Sequence, residues 1–145
     1  MPYSQFPSLG IESEEIFFRI DDMSLVSLNI SVFPGDKKFN QINFISNKDL
    51  IIFVYSIIDR NSFEIIKEKI KQTKEKNKKN TYYILVGNKS DLESNREIKK
   101  EEGETLAKNE KLDIFLEVSA KNWNFVDKIF FEACNILYKN KVINK

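Results

Sequence analysis

Three apolar runs constrain the architecture of this chain more than any other feature. Leu50 to Tyr55 (LIIFVY), Thr81 to Val86 (TYYILV) and the shorter Ile114 to Val118 (IFLEV) have few polar positions. That pattern suits strands buried on both faces of a parallel sheet. The stretches between them carry helical periodicity. One begins at Ser62, a candidate N-cap, with Phe63, Ile66 and Ile70 on one face. A second spans Ile98 to Lys108 despite Gly103, and a third runs from about Phe125 to Tyr138 with Phe125, Ile129, Ala133, Ile136 and Leu137 as its stripe. Strands alternating with helices predict an α/β fold with helices on both faces of the sheet. Upstream, Glu14 to Ile20 alternates with Ile16, Phe18 and Ile20 on one face. Asp21-Asp22 marks a turn, and Ser24 to Phe33 returns, so an antiparallel hairpin is expected before the Pro34-Gly35-Asp36 break.

Composition removes several function classes. The 145 residues suit one domain, 1–145, with no repeat, linker or separate tail domain. Lys and Arg total 23 against 22 Asp and Glu, a net charge of +1, which leaves no broad electrostatic case for nucleic acid. The absence of histidine excludes Ser-His and Cys-His catalysis and disfavours a transition-metal site. Cys134 is the single cysteine, so no internal disulfide forms, and a reducing, cytoplasmic location is expected. No apolar run reaches the roughly 18 residues that span a bilayer, and Met1 to Gly10 lacks a signal-peptide pattern. Lys, Ile and Asn, all with AT-rich codons, make up 54 of the 145 residues. The seven lysines between Lys67 and Lys79 therefore read as a solvated helix face ahead of a phosphoinositide- or RNA-binding patch. Met23 and Cys134 read as packing residues, and Trp123 as a core anchor for the last helix.

The chemistry is expected at the carboxyl ends of the apolar strands, where open α/β sheets bind ligands. TYYILV runs directly into Gly87-Asn88-Lys89-Ser90-Asp91, and IFLEV into Ser119-Ala120-Lys121. A carboxylate at Asp91 can accept two hydrogen bonds from adjacent N–H donors as a bidentate pair. Guanine presents that pair at N1 and N2, and adenine does not. A lysine stem can lie along the base face, and the second loop can offer a backbone N–H to the guanine oxygen. The spacing Asn-Lys-x-Asp arises by chance about 0.1 times in a chain of this composition, so its placement after one buried strand, with Ser-Ala-Lys after the next, carries the weight.

With these residues the chain resembles the Ras superfamily of small GTPases, and the Rab branch within it, from about Ser8 onward. VGNKSDL (Val86 to Leu92) resembles the family's guanine-specificity motif, and FLEVSAK (Phe115 to Lys121) its second base-binding motif. REIKKEEGETLAK (Arg96 to Lys108) is similar to the helix between them, and Arg60-Asn61-Ser62-Phe63-Glu64 to an earlier helix start. The resemblance implies a small-GTPase-like, P-loop NTPase three-layer sandwich with a mostly parallel sheet. It also implies that Asn88 and Asp91 read guanine, Lys89 and Lys121 sandwich it, and Ser119 and Ala120 complete the site, with Ala120 donating its backbone N–H. The cofactor implied is GTP or GDP with Mg²⁺, the partners are protein effectors, and the role is in vesicle trafficking or signalling.

Departures from the family pattern bear on activity. Family members begin with a strand, a GxxxxGK[ST] loop and a helix, in which backbone N–H groups and a lysine hold the phosphates and Ser/Thr holds Mg²⁺. The four glycines here (Gly10, Gly35, Gly87, Gly103) give no such pair, so that unit of roughly 30 residues is absent from the sequence. Ser8-Leu9-Gly10 stands where the family has Thr-Ile-Gly, which makes Ser8 the candidate Mg²⁺ ligand. LNISVFPGDKKF (Leu28 to Phe39) resembles the family's second switch. Gly35 persists there as the phosphate-sensing glycine, but Val32 replaces the Asp that orients Mg²⁺, Asp36 the Gln that positions water, and Ser31 an effector-facing Trp. No catalytic residue is assigned, and Mg²⁺ loses its support. The carboxyl end, Lys141 to Lys145, has no cysteine for a prenyl anchor, so no stable membrane attachment is expected.

Two functions compete: a degenerate, inactive Rab-like domain that binds guanine nucleotide weakly, and a fragment of a GTP-hydrolysing switch whose true start lies upstream. In the family fold the missing strand lies mid-sheet, between the strands matched by Ser24 to Phe33 and by Leu50 to Tyr55. Its absence predicts two unpartnered edges and marginal stability.

Overall fold

The computed structural model describes residues 12–33, 48–77 and 80–143, with side chains described except at 12, 123–126 and 141–143. The elements in order are β1 (Glu12–Arg19), β2 (Leu25–Val32), β3 (Leu50–Ser56), α1 (Arg60–Lys76), β4 (Tyr82–Asn88), a 3₁₀ turn (Ser90–Asn95), α2 (Lys100–Asn109), β5 (Ile114–Glu117) and α3 (Trp123–Ile143).

The apolar runs form a three-stranded parallel sheet in the order β3-β4-β5. Their side chains alternate between two cores, because successive strand residues point to opposite faces. Phe53, Tyr55, Tyr83 and Leu85 meet Phe63, Ile66 and Ile70 of α1 and Leu106 and Ala107 of α2. Ile84, Val86 and Val118 meet Ile129 and Ala133 of α3 on the other face. Helices thus cover both faces, as the sequence pattern predicts, and the arrangement matches a small-GTPase-like three-layer fold. Aromatic packing reinforces the first core. Tyr55 meets Phe63 edge-on at 4.8 Å and Phe53 stacks on Tyr83 at 6.1 Å, each worth about 0.5–1.5 kcal/mol beyond burial.

The expected hairpin is present, β1 pairing antiparallel with β2 from Glu12↔Val32 to Arg19↔Leu25. It forms its own two-stranded sheet, and β2 does not pair with β3. Ile16 and Phe18 of β1 and Val26, Leu28 and Ile30 of β2 are only half-buried. Phe18 meets Phe131 of α3 at 6.4 Å. Among the described residues β3 has no partner strand on its outer side, and Val54 in its middle is 52% exposed.

Several local expectations shift. The N-cap of α1 is Asp59 rather than Ser62. Asp59 accepts from the Ser62 amide at 3.2 Å, while the Ser62 hydroxyl accepts from the Ser56 amide at 3.0 Å. The earlier carboxylate therefore takes the cap and the serine ties β3 to the helix start. Met23, expected to pack, is 96% exposed, because it sits in the hairpin turn where its amide donates to the Asp21 carboxylate at 2.9 Å. Cys134 is buried as expected. The side chain of Trp123 lies outside the described residues. Gly103 lies within α2, and a Cβ there would stand 2.5 Å from Phe115 Cζ and 2.6 Å from the Tyr55 hydroxyl, so glycine permits close packing at a cost in helix propensity.

Candidate functional site: two loops at the carboxyl end of the sheet

The parallel ladder between β4 and β5 ends at Gly87↔Glu117. Beyond it the chain leaves β4 through Lys89, whose left-handed backbone (φ 65°, ψ 34°) swings Ser90 to Asn95 into the 3₁₀ turn. A non-glycine residue in this region costs about 1–3 kcal/mol and persists only where its surroundings hold it.

Hydrogen bonds between the two loops provide that hold. The Val118 amide donates to the Gly87 carbonyl at 2.8 Å, and the Ser90 amide to the Val118 carbonyl at 3.1 Å. The Asn88 side-chain oxygen accepts from the Ala120 amide at 3.1 Å. The Ser119 hydroxyl donates to Asp91 Oδ1 at 2.7 Å and accepts from the Lys121 amide at 3.2 Å. Lys121 Nζ lies 3.8 Å from Asp91 Oδ2, with its side chain 81% exposed, and Lys89 is exposed as well. All six residues proposed from sequence for the base therefore lie at one end of the sheet, Asn88 as the last residue of β4 and Lys89, Asp91, Ser119, Ala120 and Lys121 on the two loops beyond.

This donor and acceptor set fits a guanine base. Asp91 accepts one bond from Ser119, so most of its acceptor sites remain for an N1–H and N2–H pair. One detail differs from the expected arrangement. The Ala120 N–H is already taken by Asn88, so a guanine oxygen would compete for it.

The position that the resemblance assigns to orienting magnesium is different. Magnesium needs oxygen ligands, and Val32, at the end of β2 and 50% exposed, offers two methyl groups. That position does not fit the ion. Ser8, Gly35 and Asp36 lie outside the described residues. An open cleft of about 360 Å³ lined by Phe63, Lys67, Glu102 and Leu106 lies between α1 and α2, and none of the six base-site residues lines it.

Sequence reasoning missed a group beside the site. Arg96 donates from Nη1 and Nη2 to both oxygens of Glu117 at 2.7 and 2.8 Å. It also donates from Nε and Nη2 to both oxygens of Glu93 at 2.8 and 2.7 Å. These bonds to Glu117 and Glu93 keep the guanidinium firmly protonated, and Arg96 holds the Glu93 carboxyl below its usual value. The signal for this group was the glutamate inside the apolar IFLEV strand, since a charge in a buried strand needs a partner.

Comparison with known proteins bears on the family of the chain. The Ras family model matches residues 3–139. The Ras-related protein Rab-11B of Dictyostelium discoideum is 33% identical over 140 residues, covering 95% of this chain and 63% of that protein. The chain thus spans somewhat under two thirds of that relative's length. Matched motifs, parallel-sheet fold and family model together show that the chain belongs to the Ras family and is Rab-like within it.

Proposed function

We propose that this chain keeps the base-reading half of a Ras-family nucleotide site and does not hydrolyse GTP. The observation that carries the reading is the linked pair of loops, with Asp91 held by Ser119 and Asn88 by Ala120. Asp91 reads N1 and N2 of guanine, Asn88 and Ala120 address its other edge, and Lys89 and Lys121 cover its faces. Val32 leaves magnesium without its orienting carboxylate. Each charged hydrogen bond missing from the phosphates forfeits about 1.5–3 kcal/mol, so GTP or GDP is bound weakly and catalysis by positioning and charge stabilisation is lost. The protein then acts as a cytoplasmic Rab-like binding module toward protein partners in vesicle trafficking or signalling. No helix among the described residues is long and apolar enough to cross a membrane.

Purified protein with GTP and Mg²⁺ is expected to release no more phosphate than buffer does. Turnover that Asp91→Ala abolishes would contradict this. A second reading, in which these residues belong to a longer, hydrolysing switch, is favoured by the open edge of β3 with its exposed Val54. The same assay on the longest transcript-supported product separates the two readings.

A further inference from the structure

We propose that Arg96 is a positioning residue for the guanine site, setting the spacing of the two base-reading loops; this rests on the base-site reading above. The loops rise from different strands, and the ladder that spaces those strands stops at Gly87↔Glu117, before either loop begins. Arg96 bridges them at that level. Glu117 is the last residue of β5, two before Ser119, and Glu93 lies in the 3₁₀ turn, two past Asp91.

The guanidinium grips both carboxylates in bidentate pairs and gives its remaining N–H to the Ile98 carbonyl at 2.9 Å. All five of its donors are therefore used, and the planar fork fixes angle as well as distance. The Arg96 and Glu117 side chains are only 16% and 11% exposed, so water substitutes poorly in that arm of the bridge, while the Glu93 arm is 68% exposed at its carboxylate side chain and depends on the fork for its geometry. Lysine keeps the charge but has three donors and no planar fork, so it cannot grip both carboxylates in bidentate pairs. Losing the fork frees the Asp91 turn to shift against Ser119 and Ala120. The bidentate reading of N1 and N2 suffers before the fold does.

The test compares guanosine with inosine, which lacks the N2 amine, so their affinity ratio reports the Asp91 pair directly. Wild-type protein is expected to prefer guanosine at least tenfold. Arg96→Lys and Glu117→Gln should each bring the ratio to within about threefold of unity. Arg60→Lys, which disturbs the separate Arg60–Glu102 pair, should leave it unchanged. A merely structural role for Arg96 would weaken both nucleosides alike and keep the ratio, which would overturn the inference. Amide hydrogen exchange on the free protein gives an independent readout. Arg96→Lys should speed exchange at Ser90 and Ala120 about tenfold while Leu85 in β4 is unaffected. If wild-type protein shows no Asp91-dependent guanosine preference, the base-site reading falls and exchange alone decides: faster loop amides uphold the coupling, and unchanged ones refute it.

Discussion

The carboxyl end of the β3-β4-β5 sheet and the β1-β2 hairpin are built to different standards within one chain. Around the first, Ile84, Leu85, Val86 and Tyr55 are buried almost completely, helices cover both faces, and two loops are tied together by side-chain hydrogen bonds. Among the described residues, none of the fully buried core side chains comes from the hairpin. Its inward face is half-buried, Phe17 and Leu25 project outward, and neither β2 nor β3 pairs across the space between the sheets. The difference teaches that the two linked loops can be built without support from the hairpin. The base loops depend on β4, β5 and their own cross-bonds.

The largest expected effect tests that contrast through the core. Leu85→Ala should cost about 2–5 kcal/mol by leaving a cavity in a closed core. Leu28→Ala on the hairpin should cost less than about 2, because that site is already partly solvated. Urea midpoints at constant slope give both values. Equal costs would mean the hairpin is integrated as fully as the sheet.

Overpacking is the next probe. Gly103→Ala gains helix propensity of about 1 kcal/mol but drives its methyl into Phe115 and the Tyr55 hydroxyl at under 3 Å. A net loss of about 1–3 kcal/mol is expected. A stabilised variant would show that this face of the sheet is looser than its burial implies.

Much of this was legible in the sequence, and the reasons are local. Apolar runs betray buried parallel strands because both faces need apolar side chains, and Asn88 to Asp91 and Ser119 to Lys121 declared themselves by following such runs directly. Arg96 was not legible as a partner of Glu117, because the two are 21 positions apart and the chain folds through α2 before the pair meets. Met23 misled for a different reason: residue type suggests burial, but the turn at Asp21 decides where the side chain goes. The split of the described strands into two sheets was not legible, because the sequence pattern marks strands without saying which of them pair. Whether the hairpin edge and β3 would close up depends on packing that no local pattern encodes.

A smaller effect is expected from pH. Glu102 is pulled down to about 2 by its hydrogen bond from Arg60, with help from the Lys99 amide at the start of α2. A carboxylate depressed in the folded state contributes stability above its unfolded value near 4.5, and that contribution is lost as pH falls toward 2. The pair is substantially exposed, so the contribution is about 0.2–1 kcal/mol. Glu102→Gln should flatten that part of the pH–stability curve while leaving stability between pH 6 and 8 only slightly lower. An unchanged acid limb would remove Glu102 from the ledger of the well-built half.

The separation of base from phosphate recognition is tested most directly by calorimetry with GMP, GDP and GTP in the presence of Mg²⁺. The account predicts three weak affinities within a few-fold of one another, all reduced by Asp91→Ala. GDP binding a thousandfold more tightly than GMP, about 4 kcal/mol, would contradict it.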